Sequence, residues 1–175
     1  MEDLEKLISD KTIKSKEKTS ILGGWLLARK IPVRAITEYV AGAKDPVKAT
    51  CIEALEFATK QDPAIATREV FQMVTESLTN KAPRVKWESA KVVANTAALF
   101  ADELDKPVAN LLANTSHEGT VVRWSAAFAL GEILKLKTRH NEKLLPAIEV
   151  ILAKEEQNSI RKIYLGAIKA IENNR

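Results

Sequence analysis

An aliphatic residue followed by a base recurs along this chain at a nearly fixed interval. Val47-Lys48, Val85-Lys86, Val122-Arg123 and Ile160-Arg161 stand 38, 37 and 38 residues apart. Each pair opens a stretch with the apolar spacing of an amphipathic helix. A repeat of this length requires a stack of helical hairpins, because one hairpin alone cannot bury its apolar face.

Offsets from the aliphatic sites extend the pattern. Four residues on lie Cys51, Ser89, Ala126 and Tyr164; five on lie Ile52, Ala90, Ala127 and Leu165; eight on lie Leu55, Val93, Leu130 and Ile168. At about 100° per residue these fall in one stripe. They predict second helices over roughly 46–60, 84–102, 120–136 and 158–172. First helices are predicted over 32–43, 63–78, 106–113 and 141–154, with Pro32, Pro63 and Pro107 in first turns, where a missing N–H costs little. Residues 1–30 read as a divergent cap hairpin, with Leu4, Leu7 and Ile8 on its first helix and Ile13, Ile21, Trp25 and Leu26 on its second. The expected organisation is one domain over 1–175, with repeats at roughly 31–61, 62–104, 105–138 and 139–175.

Composition narrows the function classes. With 46% apolar and 29% charged residues, a core forms only if the helices are amphipathic. Six Gly and six Pro argue against a turn-rich β-protein. Cys51 is the only cysteine, which excludes an internal disulfide or a thiolate cluster. The longest apolar run, Ile21 to Ala28, is too short for a membrane span, and the acidic start at Glu2-Asp3 is not that of a signal peptide. A soluble, cytoplasmic protein with no membrane contact is expected. The net charge of +4 permits an anionic partner without demanding one.

Three stretches carry a family resemblance. They are Val122-Arg123-Trp124-Ser125-Ala126-Ala127-Phe128-Ala129-Leu130-Gly131-Glu132-Ile133, Val85-Lys86-Trp87-Glu88-Ser89-Ala90-Lys91-Val92-Val93 and Leu144-Leu145-Pro146-Ala147-Ile148. They resemble HEAT repeats, and the first is similar to the short repeats named after phycobilin lyases. The resemblance covers about 32–175. It implies an all-α fold, a right-handed superhelical α-solenoid of about five hairpins. First helices would lie on its convex side and second helices on its concave side. The family often sets an acid before the base to build a ladder between repeats. Asp45 and Glu118 precede Lys48 and Arg123, whereas Asn80 and Asn158 precede Lys86 and Arg161. The bases are expected to be paired or capping, since an unpaired charge near the apolar stripe is costly.

The second helices would show offsets two, six, nine and thirteen to the concave side. These are Ala49, Glu53, Glu56 and Lys60, then Trp87, Lys91, Ala94 and Ala98, then Trp124, Phe128, Gly131 and Lys135, then Lys162, Gly166, Lys169 and Asn173. The expected partner-binding residues are Trp87, Lys91, Trp124, Phe128, Lys135, Lys162 and Lys169. Aromatic anchors bury much area and lose few rotamers on binding. The alternative places both indoles as wedges between neighbouring helices. Trp25 is read as core under the cap. Lys11, Lys14 and Lys18 form a solvated face. His117 and His140 lie near turns in no metal spacing, and no catalytic or cofactor motif is present.

The reading is a non-enzymatic interaction or scaffold module that binds a protein or peptide segment. One alternative is nucleic-acid binding through a basic concave face, as in HEAT-like alkylpurine DNA glycosylases. Another is a bilin-lyase-like role, for which Cys51 lies on the buried stripe and is expected to be inert.

Overall fold

The computed structural model describes residues 2–173, so the expected bounds at residue 1 and at 174–175 lie outside the described residues. Among these residues the chain forms ten α-helices and no strand. They are α1 (Glu2–Ser9), α2 (Ser15–Leu27), α3 (Val33–Ala41), α4 (Asp45–Gln61), α5 (Arg68–Ser77), α6 (Pro83–Thr96), α7 (Asp105–Asn114), α8 (Thr120–Lys135), α9 (Asn141–Lys154) and α10 (Asn158–Glu172). Among the described residues no helix is long and apolar enough to cross a membrane.

The even-numbered helices form the spine. α2 packs on α4, α4 on α6, α6 on α8 and α8 on α10. The odd-numbered helices meet one another far less, so they are fanned apart. A layer packed more closely on one side bends toward that side. The result is an α-solenoid that curves toward its second helices.

The repeating stripes build the seam. Val85, Val122 and Ile160 are buried and Val47 is half-buried. Cys51, Ser89, Ala126 and Tyr164 are buried, as are Leu55, Val93 and Leu130. Small residues let the helices approach. A Cβ at Gly131 would lie 3.4 Å from the Ala167 Cβ and 3.6 Å from the Ile163 Cγ2, so α8 and α10 meet over bare backbone there. The fifth-offset row ends differently. Ile52, Ala90 and Ala127 are at most 1% exposed, whereas Leu165 is 50% exposed, because no further helix follows α10 among the described residues.

Three expected boundaries move. α5 starts at Arg68 rather than near 63, because Pro63–Ile65 turn as a short 3-10 segment. Asp62 accepts the Ala64 N–H, and the Thr67 hydroxyl then caps α5 by accepting from Val70. α6 stops at Thr96 rather than 102. The Thr96 hydroxyl donates back to the Val92 carbonyl at 2.7 Å, and the turn that follows lays Phe100 on Phe71 with ring centroids 4.5 Å apart. Ile13 precedes α2 and packs from the bend rather than from the helix. Pro146 lies inside α9, which continues through it.

The bases after the aliphatic sites staple the hairpin turns. Lys86 donates to the Leu78 carbonyl at 3.0 Å and to Asn114 Oδ1 at 2.8 Å. Arg123 donates to the carbonyls of His117 and Glu118, and Arg161 to those of Leu152 and Glu155. These contacts satisfy carbonyls at and just past the ends of first helices. Lys48 has no such acceptor among the described residues. The carboxylate that meets Arg123 is Glu155 of the next hairpin at 3.0 Å, while Glu118 supplies only its backbone oxygen. Burial alone would raise the Glu155 carboxyl. The Arg123 guanidinium and the backbone N–H groups of Gln157 and Glu156 outweigh it and hold the group below the usual carboxylate range.

Candidate functional site

The face of α4, α6, α8 and α10 divides into two unlike halves. In the first half, Glu53 of α4 accepts from Thr19 of α2 at 3.1 Å and pairs with Arg84 of α6. Arg84 also reaches the Ser15 hydroxyl at 3.3 Å. Lys91 stands 2.7 Å from Glu88 Oε2 and 3.8 Å from Glu56. The half-buried Trp87 donates its indole N–H to Glu88 Oε1 at 2.6 Å. Asn95 donates to the Glu56 carbonyl and to the Thr59 hydroxyl. Burial pushes the Glu88 carboxyl up, and the Lys91 and Trp87 donors oppose that shift. Three helices are thus laced together by groups that neutralise one another.

The second half is open. Trp124 is 37% exposed and stacks on Phe128, with ring centroids 5.7 Å apart and planes 13° from parallel. Lys135 pairs with Glu132 of its own helix at 2.6 Å. Lys162 and Lys169 are exposed and have no ion pair among the described residues. The offset rule therefore brings Trp124 and Phe128 together as a shelf, with Lys162 and Lys169 on the adjoining helix. It also places Trp87 and Lys91, but inside a polar network.

Sequence reasoning missed Arg84 and Glu88. Arg84 precedes the aliphatic Val85, and Glu88 falls on the buried side of α6 at 4% exposure. The face rows carry no signal for either: Glu53 pairs with Arg84 rather than with Lys91 of its own row.

Among the other candidates, Cys51 is fully buried, and burial pushes its thiol up to about 12, so no thiolate forms near neutral pH. His117 Nδ1 accepts the Gly119 N–H at 2.9 Å and closes the turn before α8. His140 is buried at the start of α9, with Nδ1 3.6 Å from Asp105 Oδ1. Lys18 donates to the Ile8 carbonyl, while Lys11 and Lys14 are exposed. Trp25 packs partly buried against the core, with Lys30 4.3 Å over its ring. A depression between the α7–α8 turn and the end of α9 is lined by Arg123 and Glu155, which already bind each other.

No family model matches the chain, and no curated protein matches it either. Solved structures do. A designed armadillo repeat protein superposes with a TM-score of 0.74 at 15% identity, covering 96% of this chain and 80% of that one. Another designed armadillo repeat protein, solved in complex with the peptide (KR)4, gives 0.74 at 16% identity, covering 95% of this chain and 80% of that one. An engineered protein gives 0.73 at 18% identity, with 97% and 80% covered. At these identities the likeness establishes the architecture: this chain is a helical-repeat α-solenoid.

Proposed function

We propose that this solenoid is a non-enzymatic interaction module that binds a peptide or an extended segment of a partner protein along its second helices. The observation that carries this reading is the Trp124–Phe128 stack, two aromatic rings left partly open on the second-helix face. Aromatic side chains held rigidly in place lose little entropy on binding, and the packed repeats beneath them preorganise the surface. The similar fold of a designed protein that was solved with a peptide supports the same mode. Trp87 continues the aromatic row on α6, and Lys91, Lys135, Lys162 and Lys169 supply charge around it. The repeats are read as HEAT-like on the strength of the Val122–Ile133 stretch.

A phosphate-led mode has less support. Arg84 and Lys91, the bases nearest the middle of the face, are already bound to carboxylates. The bilin-lyase reading has less support, since Cys51 is fully buried and burial pushes its thiol up to about 12.

The test is the double substitution Trp87→Ala with Trp124→Ala. Partners captured by the wild-type protein and identified by mass spectrometry should be lost, with helical circular dichroism and a cooperative melt retained. Loss of the cooperative melt would instead make the indoles part of the core and remove this site.

A further inference from the structure

Gly166, like Gly24 of α2, is a mid-helix glycine that packing does not require. It lies in the middle of α10, where glycine is disfavoured relative to alanine by about 1 kcal/mol. Packing does not require it: a Cβ built there meets nothing within 4 Å. Gly131 on α8 differs, since its missing side chain lets α10 approach. In the row that Gly166 shares, the other second helices carry Glu53, Lys91 and Phe128. The row is therefore interrupted at α10 by a bare stretch of exposed backbone.

The residues around the gap define its chemistry. Lys162 lies four residues before Gly166 and Lys169 three after, so both stand on its face of the helix. Both are exposed and without a carboxylate partner among the described residues. The contact of Gly131 with Ile163 and Ala167 sets the level of α8 against α10. Phe128, one turn before Gly131, comes level with Lys162, and Gly166 comes level with Gly131. The aromatic shelf thus borders a shallow notch in the surface of α10, open to solvent, between two lysines.

We propose that this notch receives a carboxylate side chain of an acidic peptide whose neighbouring apolar residue lies on the Trp124–Phe128 shelf. This rests on the interaction-module reading and gives it a ligand of defined charge. The ligand is opposite in sign to the lysine- and arginine-rich peptide of the designed protein. The first half of the face contributes little, because its charges are mutually satisfied. Two lysines on flexible stems can close over one carboxylate, and the missing side chain between them allows the ligand close to the helix.

The experiment uses the whole chain and fluorescence anisotropy of two labelled ten-residue peptides. One carries a single leucine among aspartates and glutamates; the other has lysines in place of the acids. The acidic peptide should bind and the basic one should not, with affinity falling as salt rises. Gly166→Ala should raise the melting temperature, because it relieves the helix penalty, yet weaken the acidic peptide by about tenfold through occlusion of the notch. Lys162→Glu with Lys169→Glu should abolish acidic-peptide binding without lowering the melting temperature. Tighter binding of the basic peptide, no binding of the acidic one, or unchanged affinity in Gly166→Ala would each overturn the proposal. If Trp124→Ala loses binding while Gly166→Ala does not, the notch is wrong and the module reading stands. If neither substitution matters to any captured partner, the module reading falls with it.

Discussion

The two ends of the second-helix face use similar residues in opposite ways. Around α4 and α6, the buried and half-buried charges at the centre of the face find complements on the same or a neighbouring helix: Glu53 with Arg84, Glu56 and Glu88 with Lys91. Around α8 and α10, aromatic rings and lysines are left to solvent. Polar groups that satisfy one another stiffen a stack and leave nothing to offer a ligand. Groups left open cost the fold little at the surface and remain available. The difference separates a part of the face whose charges are mostly spent on one another from a part whose side chains stay open.

The strongest way to test the seam compares one register position inside the stack and at its end. Ala127→Asp places a carboxylate where the side chain is fully buried, and should cost more than about 4 kcal/mol or prevent folding. Leu165→Asp, at the equivalent site on α10, should change stability by no more than about 0.5 kcal/mol. Chemical denaturation of both variants measures the contrast, and equal effects would mean that Leu165 is as well covered in solution as Ala127.

A middle-sized effect divides the two halves of the face. Lys91→Met leaves the buried Glu88 carboxylate facing no cation, and should destabilise the chain by about 1–3 kcal/mol. Lys162→Met combined with Lys169→Met should be nearly silent in the same denaturation experiment, because neither lysine has an ion-pair partner among the described residues. If the pair on α10 proves as costly as Lys91, those lysines are structural.

The smallest effect is in pH. Glu155 is held below its ordinary pKa when folded, so its contribution to stability is complete above about 4.5, the usual carboxylate value, and is lost as pH falls through the lowered folded value. The melting temperature of the wild type should drop more steeply with acidification below that point than that of Glu155→Gln. Parallel curves would show that the Arg123 contact contributes no pH-dependent stability.

The hairpins were legible because burial repeats. Val85, Val122 and Ile160 occupy equivalent buried sites, and a stripe of this period is visible without any knowledge of neighbours. The face rows follow the same rule, and Trp124 and Phe128, one turn apart in those rows, stack on α8. The ends of α5 and α6 were not. Thr67, Asp62 and Thr96 decide them through side-chain bonds to backbone, and those bonds compete with helix propensity over a few residues. Arg84 and Glu88 were missed because their role depends on a neighbouring helix. Leu165 is exposed because α10 is the last helix among the described residues, although its spacing is identical to that of Ile52.

The sequence alone determined the period, the apolar stripes and hence a stack of helical hairpins, because helical periodicity is a local property of the chain. The tertiary structure decided which charges cancel and which stay open, and that Gly131 serves packing while Gly166 does not. Those outcomes depend on how far one helix slides along the next, and a shift of a single turn exchanges one set of neighbours for another.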